Sequence, residues 1–168
     1  NQALCINTLI APIVYTLGGG ATNATVTGLP AGVTYTVAGT TLTIQGAPTT
    51  TTGSPFAFNI VTTGNTCIVA NASGTLSVNP DHTISLNAGS NTNQSVCVNS
   101  TIAPISYTLG GGATGATVTG LPAGVTYTVT GNTLTISGTP TTTVGGPTFN
   151  YSIITTGNGC LTANAAGS

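Results

Sequence analysis

Apolar side chains recur at every second position through much of this chain: Val33, Tyr35 and Val37, then Leu42 and Ile44, then Phe56, Phe58 and Ile60, with Thr, Ala or Asn between them. A period of two puts alternate side chains on opposite faces of an extended backbone, so each run reads as a strand with one face buried and the other wet. Gly and Pro clusters interrupt the runs at intervals suited to short antiparallel strands joined by turns, and no stretch carries a helical period. Pro30-Ala31-Gly32 predicts a tight turn, and Gly18-Gly19-Gly20 a loop with backbone angles that glycine adopts most readily. Strands buried on one face need a second sheet to cover them, which predicts an all-β, two-sheet sandwich.

The pattern occurs twice. Residues 1–46 set against 93–138 agree at 36 of 46 positions, and beyond them Cys67 matches Cys160, so one residue is inserted around Val144 to Pro147. The predicted organisation is two tandem sandwich modules of seven or eight strands. The first, 1–80, lacks its first strand, and the second, 81–168, lacks its last. Copy one closes with Thr75-Leu76-Ser77-Val78-Asn79-Pro80, whereas copy two stops at Gly167-Ser168; copy two opens with Thr83-Ile84-Ser85-Leu86-Asn87, which has no counterpart before Asn1. This frame predicts further copies in the natural chain, with a sequence close to Thr-Leu-Ser-Val-Asn-Pro following Ser168. A repeat of this length suits a bead that folds by itself rather than a solenoid unit.

Composition narrows the function. The 168 residues hold no Lys, no Arg and one acid, and Asp81 and His82 are the only ionisable side chains besides Cys and Tyr. General acid–base catalysis, phosphoryl transfer and glycosyl transfer need titrating pairs, metal ligands or cationic clamps, so an enzyme is not expected. Nucleic acid is excluded as a partner by the missing cations, and membrane insertion by apolar residues that never run to the ~20 needed for a span. No cofactor is implied. With 39% hydrophobic residues and abundant Val, Ile, Thr and Tyr, the chain is expected to fold rather than remain disordered.

The segments Gly28-Leu29-Pro30-Ala31-Gly32 and Gly120-Leu121-Pro122-Ala123-Gly124-Val125-Thr126-Tyr127, with Ser137-Gly138-Thr139-Pro140 downstream in copy two, resemble the immunoglobulin-like repeats of bacterial surface proteins. In those repeats an LPAG turn precedes a strand ending in SGTP. The likeness covers residues 28–50 and 120–142. Thr-rich, charge-poor arrays with one cysteine pair per copy also resemble the giant surface adhesins of gliding Bacteroidota, exported by the type IX route. The resemblance implies immunoglobulin-like sandwiches, an extracellular, cell-surface location, and a stalk or filament role.

Cysteines at equivalent places in the two copies predict one disulfide per module, Cys5 with Cys67 and Cys97 with Cys160. Two cysteines per copy fall short of a tetrahedral metal site, and a disulfide framework implies an oxidising compartment, hence secretion. Asp81 and His82 read as a solvated linker, because one carboxylate cannot supply calcium's oxygen ligands. The glycine run at 18–20 lacks the Lys of a phosphate loop. The sequons at Asn23, Asn71, Asn93, Asn99 and Asn150 would matter in a eukaryotic secretory route. A Thr to Gln ester through Gln2 or Gln94 lacks an activating acid. Tyr15, Tyr35, Phe56, Phe58, Tyr107, Tyr127, Phe149 and Tyr151 are expected in the cores rather than on a sugar-stacking platform.

The functional expectation is a repeat segment of a secreted adhesin or filament, serving as stalk and extended adhesive surface. Its partners would be neighbouring repeats of the same chain, with lateral self-association. The rival is a module that binds glycans or abiotic surfaces through many weak contacts of Thr- and Asn-rich faces, multiplied by avidity.

Overall fold

A computed structural model describes residues 1–64, 69–144 and 148–168 of the chain. The chain divides into two compact units, Asn1–Pro80 and Asp81–Ser168.

In module one the strands are β1 (Gln2–Cys5), β2 (Ile13–Thr16), β3 (Asn23–Thr27), β4 (Val33–Ala38), β5 (Thr41–Gly46), β6 (Phe56–Thr63) and β7 (Asn71–Asn79). They form a four-stranded sheet, β1-β7-β6-β3, and a three-stranded sheet, β2-β5-β4. All pairings are antiparallel except β1 with β7, which run parallel with Gln2 opposite Leu76 and Cys5 opposite Asn79. The alternating side chains meet between the sheets: Leu42 and Ile44 of β5, Phe58 and Ile60 of β6 and Leu76 of β7 belong to one core with Ala24 of β3 and Val33 of β4.

Module two comprises β8 (His82–Leu86), β9 (Ile105–Gly111), β10 (Ala113–Thr119), β11 (Val125–Thr130), β12 (Thr133–Gly138), β13 (Tyr151–Gly157) and β14 (Asn164–Gly167). Its sheets are β11-β12-β9-β8 and β10-β13-β14. The core repeats that of module one, with Leu134, Ile136, Tyr151 and Ile153 where Leu42, Ile44, Phe58 and Ile60 stand, and Ile84 of β8 packs against it.

The LPAG turn has a direct physical basis. Val33 N–H donates to the Pro30 carbonyl (3.1 Å), closing a turn whose third residue, Gly32, has φ of 86°, the type II geometry that only glycine adopts without strain. The turn is clasped to the segment after β5: Ala47 N–H donates to Gly32 O (3.1 Å) and Thr49 N–H to Ala31 O (2.9 Å). Copy two repeats the clasp from Thr139 to Gly124 (3.0 Å) and from Thr141 to Ala123 (2.9 Å). The two halves of the LPAG and SGTP signature are therefore the two sides of one hydrogen-bonded contact. A Cβ on Gly32 or Gly124 would collide with the carbonyl oxygen of Ala47 or Thr139.

Candidate functional site

Polar chemistry in module two gathers where the chain comes into it. His82, the first residue of β8, is only 6% exposed. Its Nε2 lies 3.1 Å from Asn158 Oδ1, and its Nδ1 lies 2.9 Å from the Thr155 hydroxyl. Asn158 Oδ1 also accepts from Cys160 N–H (3.0 Å), which fixes that oxygen as an acceptor and makes His82 Nε2–H the donor. The Thr155 hydroxyl beside Nδ1 donates to Ala163 O (3.1 Å) and accepts from Ala163 N–H (2.8 Å).

Asp81 is fixed beside it. Its carbonyl accepts from Gly112 N–H (3.2 Å) and its Oδ1 from Leu161 N–H (3.3 Å), while His82 N–H donates to Leu161 O (2.9 Å). The expected solvated linker is thus corrected: this pair starts a strand and fastens it to the loop after β13. Sequence reading missed it because a polar pair behind a proline looks like a link until β8 is known to begin at His82 and to pair with Gly111.

In module two the cysteines do not follow the expected pairing. Cys97 is a free, exposed thiol, and Cys160 is disulfide-bonded, so the expected Cys97 to Cys160 bridge is not formed. Cys5 is also disulfide-bonded. Cys67 lies outside the described residues, as do residues 145–147 of the loop that holds the inserted residue. Equivalence between copies misled here because it identifies matching positions without saying which of them are neighbours.

The aromatic side chains lie in or against the cores. Phe58, Tyr107 and Tyr151 are buried, and Tyr15, Tyr35, Phe56 and Tyr127 pack against the cores; Phe149 is half-buried. Tyr151 stands where copy one has Phe58, and its hydroxyl meets that of Tyr107 at 3.1 Å. Burial first, and that hydrogen bond second, push its phenol well above the ordinary tyrosine value of 10.0. Gln2 and Gln94 use their amides as two-bond clasps on the backbone of Ala11 (2.7 and 3.0 Å) and Ala103 (2.8 and 2.9 Å). All five sequon asparagines are exposed.

Module two also carries an open cavity of about 380 Å³, lined by Val96, Val98, Ile102, Phe149, Tyr151 and Ser168 among others. In module one the corresponding space holds the second half of β7, where Leu76 and Val78 are 0% and 2% exposed. The register is the same in both copies, since Gly167 pairs with Tyr151 as Gly74 pairs with Phe58. Among the described residues no group of three or more His, Cys, Asp or Glu could hold a metal ion, and no helix is long and apolar enough to cross a membrane.

No family model matches the chain, and no curated protein is similar to it. Solved structures are. An I-band fragment of titin aligns over 98% of this chain and 60% of its own, with a TM-score of 0.67 and 12% identity. A second titin structure aligns over 99% of this chain and 91% of its own (TM-score 0.50, 11% identity). A protocadherin gammaB7 structure aligns over 98% and 43% (TM-score 0.56, 7% identity). The chain therefore spans about three-fifths of the titin fragment named first. At these identities the likeness concerns the fold: two tandem immunoglobulin-like β-sandwich modules.

Proposed function

We propose that this chain is a repeat segment of an extracellular adhesin or filament, whose modules act as spacers and present an extended adhesive surface. The observation that carries the reading is the repetition of one sandwich whose outer faces are hydroxyl and amide rather than charge: the Thr side chains that alternate with the core residues of β4, β5, β11 and β12 lie on the outer faces of the sheets. Half-cystines at Cys5 and Cys160 support an oxidising, extracellular compartment. Tandem immunoglobulin-like and cadherin-type architecture among the similar structures supports a structural or adhesive repeat. The reading requires no catalytic group, cofactor or metal. Neighbouring copies are the natural partners, and a surface almost without charge lets copies associate side by side with little repulsion.

Arrays of one, two and four modules presented to glycan arrays and to bare mineral or polymer surfaces test the proposal. A spacer-and-surface role predicts contact distance that grows with module number and surface retention without sugar selectivity. Retention by one class of glycan, rising steeply with module number, would replace this reading by that of a glycan-binding module.

A further inference from the structure

The loop after β13 holds the chain's only Asn-Gly pair, Asn158-Gly159, and the fold of module two sets it against His82. An asparagine followed by glycine can close on itself. The backbone nitrogen of the glycine attacks the side-chain carbonyl carbon of the asparagine, and a cyclic imide forms; glycine permits this best because no side chain shields its nitrogen.

The carbonyl under attack is polarised here. Asn158 Oδ1 accepts two N–H groups, from His82 Nε2 at 3.1 Å and from Cys160 at 3.0 Å. As the nitrogen adds to Cγ, negative charge builds on that oxygen, and donors already aimed at it stabilise the charged state more than the neutral amide. The histidine is held for this role: its ring is buried, its Nδ1 lies beside the Thr155 hydroxyl (2.9 Å), and its strand is paired to β9. The nucleophile, by contrast, is open. Gly159 is exposed, a Cβ built on it would meet nothing within 4 Å, and its N–H has no hydrogen-bond partner among the described residues. Asn158 itself is anchored, with its N–H donating to Gly112 O (3.2 Å) and its carboxamide lying where a Cβ on Gly112 would stand.

We propose that Asn158 is a site of spontaneous modification assisted by His82. Gly159 N–H gives its proton to solvent, the nitrogen bonds to Asn158 Cγ, the Cγ–Nδ2 bond breaks and the amide leaves as ammonia. Water then opens the imide. Cleavage of the new Cγ–N bond leaves aspartate at 158, and cleavage at the main-chain carbonyl leaves isoaspartate, with the backbone rerouted through Cγ. Water is the sole co-reactant and nothing is oxidised or reduced. Either product places a second carboxylate in a chain that has one acid. Isoaspartate also lengthens the backbone just before Cys160 and Leu161, and Leu161 is bonded to Asp81 and His82 (3.3 and 2.9 Å), so the modification acts on the fastening of β8. This chemistry goes beyond the adhesin reading and holds whether or not the modules serve as a stalk.

The 168-residue protein is incubated in mildly alkaline heavy-oxygen water, reduced, and digested with chymotrypsin in ordinary water. The peptide from Ser152 to Leu161 contains no other asparagine, so mass spectrometry reads the site directly. The expected result is uptake of a single labelled oxygen at residue 158, ahead of every other asparagine. His82→Met, which fills the space without a donor, should slow uptake roughly tenfold to a hundredfold, the worth of a hydrogen bond to a developing charge. His82→Gln, whose amide can donate to the same oxygen, should keep most of the wild-type rate. In urea all three proteins should react alike, and more slowly than the native wild type. Absence of label at residue 158 would overturn the proposal. So would a folded His82→Met protein that reacts as fast as wild type, or a native wild type slower than in urea, which would make His82 a shield; the last comparison decides the matter even where the variants do not fold.

Discussion

Extending the chain past Ser168 with Leu-Ser-Val-Asn should close the open cavity of module two. The register that sets Gly167 against Tyr151 puts the added Leu and Val where module one has Leu76 and Val78, both buried. Pairing has already begun at this edge: Gln94 N–H donates to Ser168 O (2.9 Å) and Ser168 N–H to Thr92 O (2.8 Å). Full burial of a Leu or Val side chain contributes roughly 1.5–3 kcal/mol each, so about 3–6 kcal/mol together. An Ala-Ser-Ala-Asn extension serves as the control: it keeps the backbone pairing and its ordering cost but omits both side chains. In a module of this size 1 kcal/mol moves the melting midpoint by roughly 4–8 °C, so the two extended proteins should differ by roughly 12 °C or more in module two's transition. Calorimetry supplies the midpoints. Equal midpoints for the two extensions would refute the equivalence of this cavity with the space that Leu76 and Val78 fill in module one.

Three further outcomes follow from the same geometry. His82→Ala should cost about 2–4 kcal/mol by emptying the space of a buried ring and removing its two hydrogen bonds, against under about 1 kcal/mol for Asp81→Ala; urea unfolding measures both. Gly124→Ala should cost about 2–4 kcal/mol, because its φ of 87° and the Thr139 carbonyl both oppose a Cβ, whereas Gly131→Ala, in open space, should cost about 1 kcal/mol. The raised phenol of Tyr151 binds its proton more tightly folded than unfolded, so its contribution is intact below pH 10 and is lost as pH rises above it. Circular dichroism across that range should show module two weakening more steeply than the Tyr151→Phe variant.

The strands were legible in the sequence because side-chain period and turn residues are local properties. Their extents were not, and one identity shows why. Tyr-Thr-Leu-Gly-Gly-Gly-Ala-Thr occurs at 15–22 and again at 107–114. In copy one strand β2 ends at Thr16, but in copy two β9 runs on to Gly111, because β8 pairs with it as far as His82 opposite Gly111. Likewise Gln2–Cys5 is a strand because it pairs with Leu76–Asn79 of β7, while residues 94–97, beside the shorter β14, are not. The buried histidine was hidden for the same reason. Its burial depends on which segment lies alongside, which the repeat cannot reveal.

The parallel pairing of β1 with β7 also decides how a module bears load. Held at Gln2 and drawn from Asn79, the two strands are pulled in opposite senses along their shared ladder, so its register of four residue pairs is stressed in shear and all at once. Had the same outer strands been antiparallel, both ends would lie at one edge and the bonds would break in succession, like a zip. Traction along the backbone therefore meets a shear pin between the first strand and the last, and the module holds or gives way as one piece.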